Sequence, residues 1–510
     1  MTDVLDPPVG EAAPTAHEVV TLENLRSVSS ARTLGLGVTV LIFALIEILY
    51  FGFGTNRSDE TTIRFDYNTA TSVPALSTTM RVVVAVLGVL CVAGGIAVIV
   101  RRRVKVLGVL LVVAGGVLLA WVVALALHFN DSTGTLKTLT VPVAAAAWLI
   151  GGLSLIGGLY LVVSRSARAS FPIFFTGTGL FILAFLIWLT RGSNVGTVPP
   201  LSLTETLTLT FIAATPLIYG SLSGVMCERS GVVNIAIEGQ FMFGAMSSVI
   251  VANVIGPTTA GFATGTLVAA VIGGLLGCVL AYMALHYQAN QIIVGVVIVA
   301  FCTAMVQFMM DQVLNNHQNL NQGIAALPIA IPGLSEIPFF GPILFDQTYF
   351  VYLAVVLVAI VNFMLFRTRA GLRVRSVGEK PKAAETVGIS VTRTRYSMVI
   401  LGGMVAGIGG AVFTIGIGIP MGVGITGGKG FVALAIMIVG RWRPWSALTA
   451  ALLFGFTFAL ASQLNLYLNQ LVIPSQLIQA LPYIVTIAAV GGLVGRVRPP
   501  AADGIPYSRE

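Results

Sequence analysis

The chain has 510 residues, 56% of them hydrophobic and only 9% charged, where a soluble globular protein carries about 25% charged residues. That shortfall excludes a soluble domain, and the long continuous apolar runs exclude a β-barrel, whose strands alternate. The net charge of +8 comes without a basic patch interleaved with aromatics, so it is a matter of membrane topology and excludes a nucleic-acid partner. Cys91, Cys227, Cys278 and Cys302 lie in or beside apolar runs with no CxxC, and His17, His128, His286 and His317 are scattered. Neither a metal site nor a disulfide framework is expected.

Taken in chain order, residues 1–32 form a polar tail with no cleavable signal pattern. About fourteen apolar segments follow, near 33–53, 82–100, 106–128, 141–163, 171–190, 206–225, 233–255, 259–285, 291–310, 347–366, 396–418, 430–440, 445–463 and 477–495. The fold class expected is an all-α polytopic membrane protein. The segment at 430–440 is too short to span upright at about 1.5 Å per residue, so it is read as a half-helix or re-entrant piece sheltered by protein. With the N-terminus inside, most of the 28 basic residues fall in cytoplasmic loops, including Arg101 to Arg103, Lys105, Arg229, the stretch Arg367 to Arg395, Arg441 and Arg443. Both termini are then cytoplasmic.

The chain divides into a tail at 1–32, an extra five-helix membrane region at 33–200, a core at 201–497 and a tail at 498–510. The 33–200 region has Glu47 as its one charge within the spans and small-residue clusters such as Gly151-Gly152 that suit close helix packing. Candidate site residues begin later. Asn234 and Glu238 are four apart at the entry of an apolar span, which on a helix puts them on one face. A charge at bilayer depth costs roughly 2.5–3.5 kcal/mol on insertion scales. Two readings stand: the pair glues helices together, or it frames a translocation path. Neutral amides suit the hydroxyls and base edges of an uncharged solute, so Asn234, Gln240, Asn290, Gln291 and Gln307 join Glu238 as the candidate path residues. The loop 311–346 is polar in its first half and rich in proline and Phe339-Phe340 in its second. It either caps the bundle or receives an external protein.

The loop 367–395 carries eight basic residues against Glu379 and Glu385. Pro381 suits the first turn of a short helix and Gly388 its end, which predicts an amphipathic helix near 381–387 shaped to enter a groove on a cytoplasmic partner. Arg373, Arg375, Gly378, Glu379, Pro381, Ala383, Ala384 and Gly388 make up this candidate docking site. Gly422 to Gly427 fits a dinucleotide fingerprint without the βαβ setting or the acidic residue it needs, and Gly428-Lys429 lacks the rest of a P-loop. The glycines are read instead as a non-helical connection into the half-helix.

These strings resemble one class of bacterial ABC importer permeases, which moves nucleosides, simple sugars and branched-chain amino acids. The resemblance runs from Ala214-Thr-Pro-Leu-Ile-Tyr-Gly through the Glu238 segment and the stretch 327–344 to Gly430-Phe-Val-Ala-Leu-Ala. It includes Gly-Glu-x-Pro-x-Ala-Ala-x-x-x-Gly-Ile at 378–389, written in that family as the loop that meets the ATPase. It is closest to the nucleoside and simple-sugar branch. It implies a non-catalytic permease subunit in the bacterial cytoplasmic membrane, surrounded by membrane lipid. The implied partners are a cytoplasmic ATPase subunit holding ATP and Mg, a second and different permease, and an external substrate-binding lipoprotein. No cofactor is implied on this chain. A nucleoside is the expected substrate, with a simple sugar or branched-chain amino acid as the alternative. An ion-coupled carrier is the rival class, but it needs intramembrane carboxylates, and the spans hold only Glu47 and Glu238.

Overall fold

The computed structural model describes residues 33–53, 60–64, 138–164, 201–335, 340–465 and 498–507, with scattered positions between 173 and 188 and between 476 and 483. The chain forms two units, Met1–Leu203 and Thr204–Glu510. Among the described residues nine helices are long and apolar enough to cross a membrane. They coincide with nine of the expected segments, and a shorter apolar helix coincides with the one at 430–440. The segments at 82–100 and 106–128 lie outside the described residues, and those at 171–190 and 477–495 are described only at scattered positions.

In the first unit, helix α1 (Thr33–Gly52) closes on a π turn from Ile46 to Gly52. Strand β1 (Glu60–Arg64) pairs antiparallel with β2 (Thr138–Pro142), which leads directly into α2 (Val143–Ser164). Strand β3 (Leu201–Ser202) joins β1 in parallel. This small sheet is a departure from the all-helical expectation, and its cause is local. Thr61, Thr62 and Ile63 in one strand and Thr138, Thr140 and Val141 in the other are β-branched, a residue type that favours strands. A Cβ at Gly158 would stand 2.8 Å from the Leu41 side chain, so glycine is what lets α1 and α2 approach.

The second unit holds α3 (Leu203–Glu228), α4 (Ile237–Ile255), α5 (Thr259–Leu285) and α6 (Gln291–Met309). A long connection contains β4 (Ile329–Ala330), α7 (Phe340–Leu344) and β5 (Asp346–Gln347). Then come α8 (Tyr349–Arg367), α9 (Arg369–Glu379), α10 (Pro381–Thr386), α11 (Val391–Ala411), α12 (Lys429–Val439) and α13 (Pro444–Asn465). Helices α4, α5 and α11 pack backbone to backbone. A Cβ at Gly244 would sit 2.3 Å from the Gly407 carbonyl, and one at Gly273 2.3 Å from that of Gly403. In lipid, where burial of apolar surface drives no association between helices, such small-residue contact supplies the packing. Around it, Leu217, Leu222, Phe350 and Phe454 are fully or almost fully buried. This three-helix core fixes where α4 begins, and so where Glu238 lies.

Candidate functional site

Helix α4 starts at Ile237 and is reached through a tight turn at Arg229 to Gly231, the non-helical residues Val232 to Asn234 and a second turn at Ile235-Ala236. Gly231 takes φ +90° there, a left-handed conformation that glycine adopts without strain. Asn234 is therefore not on the α4 helix, and the expectation that it shares a helix face with Glu238 is corrected. The reversal at Gly231 and the β-branched Val232-Val233 hold this stretch out of the helix.

Glu238 is buried in the first turn of α4. Its partners come from the glycine-rich loop 422–430, far away in sequence. One carboxylate oxygen accepts from the Thr426 hydroxyl at 2.5 Å and the Gly428 N–H at 2.9 Å, and the other accepts from the Gly430 N–H at 2.6 Å. Gly428 and Gly430 flank Lys429, the first residue of α12, so the carboxylate satisfies donors that open that helix and would otherwise be orphaned. One charge thus lies at two helix N-termini, where the positive ends of both macrodipoles favour it. Gly430 has no room for a side chain: a Cβ would stand 2.6 Å from the Glu238 backbone. The Lys429 ammonium lies over the rings of Phe413 and Phe458, at 5.2 and 5.6 Å from their centroids. The glycine loop that imitates a phosphate cradle is filled by the protein's own carboxylate.

From this meeting point the two helices diverge. Helix α4 carries the chain to Asn253, whose amide donates to the Gln322 carbonyl in the connection 311–346. Helix α12, 11 residues long and hence about 16 Å, leads to the opposite pole, where the Trp442 carbonyl accepts from Arg229 Nε at 3.0 Å.

Of the other candidate path residues, the Asn234 amide donates to Gln240 Oε1 at 3.1 Å and Ser223 Oγ at 3.3 Å. The Gln291 carbonyl oxygen accepts from the Val233 N–H at 2.7 Å. Asn234, Gln240 and Gln291 are all buried. Asn290 is exposed and caps α6 by accepting from the Ile292 and Ile293 N–H groups. Gln307 is exposed on α6 and donates to Asp311 one turn on. The structure thus brings three of the six amide and carboxylate candidates together around residue 234, sets Glu238 against the glycine loop, and leaves two apart.

At the opposite pole, α10 begins at Pro381, ends at Thr386, and is followed by Gly388 at φ +82°, the frame expected from Pro381 and Gly388. Ala384 is buried within this chain, packed with Val377 and Val391, with Ile389 and Tyr507 against them. It faces inward rather than toward a partner, because the helix uses that face to hold itself to α9 and α11. Lys382, Ala383, Thr386 and Val387 are exposed, as are Arg373 and Glu379, and Val387 is 73% exposed. Arg375 lies over the Phe366 ring at 5.3 Å. Gly378 is buried so closely that a Cβ would stand 2.2 Å from the Arg229 carbonyl. Arg395 is fully buried, Trp442 Nε1 donates to Glu228 at 2.6 Å, and Asp503 faces both Glu228 and Arg395. Burial raises the Asp503 carboxyl from an ordinary 3.8 to about 6, against the lowering pull of a hydrogen bond with Glu228, of the Arg395 charge and of the Gly504 N–H.

Residues 206–490, more than half of the chain, match the family described as branched-chain amino acid transport system / permease component. The chain belongs to that permease family. This permease is 37% identical to the guanosine ABC transporter permease protein of Bacillus subtilis over 304 residues, 58% of this chain and 94% of the relative. It is 38% identical to the nucleoside ABC transporter permease protein of Lactococcus lactis subsp. cremoris, again over 304 residues and the same shares. A glucose ABC transporter permease protein of Haloferax volcanii is 27% identical over 291 residues, 55% of this chain and 75% of that one. No solved structure matches. The family match falls inside the second unit. It contains Glu238, the glycine loop and α10. Reading the sequence missed Thr426, Arg395 and Trp442 as site residues. The only hint at Arg395 is its place one turn before α11 becomes continuously apolar.

Proposed function

We propose that this chain is the membrane-spanning permease subunit of an ATP-driven importer of nucleosides in the bacterial cytoplasmic membrane. The observation that carries the substrate class is the 37–38% identity, over 94% of their lengths, to two permeases named for guanosine and nucleosides. The buried amides agree with a neutral, hydroxyl-rich solute. Asn234 Oδ1, Gln240 Nε2 and Gln291 Nε2 are buried without hydrogen-bond partners among the described residues, a cost that passing hydroxyls or water would relieve. A branched-chain amino acid would add a zwitterion to satisfy, and no buried charge pair is offered around Asn234. Glu238 speaks against an ion-coupled carrier, because three donors of the chain already occupy its carboxylate.

In this reading the chain has about fourteen membrane segments, one of them the short half-helix α12, with both termini and the α9–α10 pole cytoplasmic. The core at 201–497 carries transport, and the region at 33–200 lies outside the path. The chain performs no chemistry. A separate ATPase subunit, with its ATP and Mg, docks on α10 through the exposed Lys382, Ala383, Thr386 and Val387. A second, different permease completes the pore. An external lipoprotein delivers substrate to the 311–346 side. Closure of the ATPase dimer shifts the core between outward and inward states through its differential binding to the two. The test is competition in the reconstituted complex. Excess uridine or adenosine should block uptake of labelled nucleoside and leucine should not; inhibition by leucine alone would move the chain to the amino-acid branch.

A further inference from the structure

The segment after the last apolar stretch has no place in the reading so far, yet it is built into the α9–α10 pole. Residues 500–505 form a turn, with the Asp503 N–H donating to the Pro500 carbonyl and that of Ile505 to Ala502. The turn bonds α9 twice. The Ala502 N–H donates to the Gly378 carbonyl at 2.9 Å, and the Ala501 N–H to the Glu379 carboxylate at 3.3 Å. It bonds α10 once, through the Tyr507 hydroxyl and Glu385. Arg395 then ties the tail to the membrane core. Its Nε donates to the Ser230 carbonyl at 3.1 Å, Nη1 to that of Ile505 at 3.1 Å and Nη2 to that of Ala502 at 3.4 Å. A planar fork of five donors can hold three carbonyls on two chain segments at once, and an ammonium cannot reproduce that geometry.

Helix α10 has six residues, too few to stand without tertiary support. Any force applied to it must leave through what it is bonded to. Through the tail and Arg395 those bonds lead to Ser230, at the turn that opens the stretch to Asn234 and Glu238, and Gly378 already rests on the neighbouring Arg229 backbone. We propose that Pro500–Tyr507, held by Arg395, is a clasp that locks α9 and α10 to the Arg229–Gly231 turn, so that movement of the ATPase on α10 is passed to the segment carrying Asn234 and Glu238. Arg395 and Tyr507 are positioning residues that touch no substrate. The inference rests on the importer reading above.

The experiment uses the complete complex in proteoliposomes. The variants are Arg395→Lys, Tyr507→Phe and a chain ending at Arg498. ATP hydrolysis, nucleoside imported per ATP, co-purification of the ATPase subunit and the thermal midpoint are measured together. The clasp predicts that Tyr507→Phe and the shortened chain still insert, hold the ATPase and hydrolyse ATP. Import per ATP should fall about tenfold in Tyr507→Phe, the effect of losing one hydrogen bond to a charged group, and by more than that in Arg395→Lys and in the shortened chain, which lose several. Should Arg395→Lys fail to insert, the other two variants decide. Unchanged import per ATP in the shortened chain overturns the clasp. So does loss of ATPase binding in step with the thermal midpoint, which would make the tail structural only. A wild-type complex that shows no ATP-driven import overturns the importer reading itself and the clasp with it.

Discussion

Glu238 and Arg395 are two buried charges in one unit, and each is answered mainly by backbone. Glu238 takes N–H groups from the start of α12, and Arg395 takes carbonyls from the Ser230 turn and the C-terminal tail. The first is closed within an apolar bundle, where Gly430 leaves no space for a side chain. The second stands beside Asp503 and Glu228, close to the exposed residues of α9 and α10. The difference separates a fixed joint from an adjustable one. The carboxylate holds two helix starts together, and the guanidinium holds the C-terminal tail to the Ser230 turn.

The largest expected effect breaks the fixed joint. Glu238→Leu leaves the Gly428 and Gly430 N–H groups and the Thr426 hydroxyl unsatisfied, which should cost about 3–5 kcal/mol, as for a buried charge network that loses one partner. Thermal unfolding in detergent and import assays should both fall, with membrane insertion retained. An unchanged midpoint would mean that the carboxylate is not what joins α4 to α12. Gly430→Ala reaches the same joint by sterics, and overpacking should cost about 1–3 kcal/mol. A full-strength Gly430→Ala variant would show that the contact is slack.

The adjustable pole should divide by face. Ala384→Arg forces a charge among Val377, Val391 and Tyr507 and should lower the permease's own thermal midpoint. Val387→Asp, on the exposed face, should leave the midpoint unchanged and weaken ATPase co-purification about tenfold, roughly 1.4 kcal/mol. If the two variants behave alike, the inward and outward faces of α10 have been assigned wrongly.

The smallest effect is pH dependence. Asp503 has a raised carboxyl pKa in the docked tail, so the proton favours docking. That contribution is fully present below 3.8 and is lost as pH rises through about 6. Glu228 and Arg395 face the group, with the Cys227 thiol nearby. Amide exchange at Ala502, corrected for intrinsic chemistry, should be slower at about pH 5 than at about pH 7.5, and Asp503→Asn should remove the difference. Equal protection at both would show that the carboxyl does not regulate the tail.

Much of this was legible in the sequence for physical reasons. Continuous apolar runs mark spans because lipid tolerates no unsatisfied backbone, and Pro381 with Gly388 frames α10 because proline suits a helix's first turn and a left-handed glycine suits its end. That Glu238 faces the bundle followed from the cost of a charge in lipid. Its partners did not, because they are mostly backbone N–H groups almost two hundred positions away, and a backbone donor leaves no residue signature. The same blindness hid Arg395, which reads carbonyls. Asn234 was misplaced by periodicity, which counts residues and does not see that Gly231 turns the chain. Ala384 pointed the wrong way because its partners include Tyr507, beyond the last span.

The central claim is that this permease moves nucleosides by coupling to ATP, with Glu238 as a structural counter-charge and not an ion site. Accumulation of labelled uridine or adenosine should be followed in proteoliposomes holding the complex, its external binding protein and ATP on the ATPase side, with ionophores collapsing proton and sodium gradients. The account predicts accumulation that requires ATP and ignores the ionophores. Accumulation that persists without ATP and vanishes with the ionophores would contradict it.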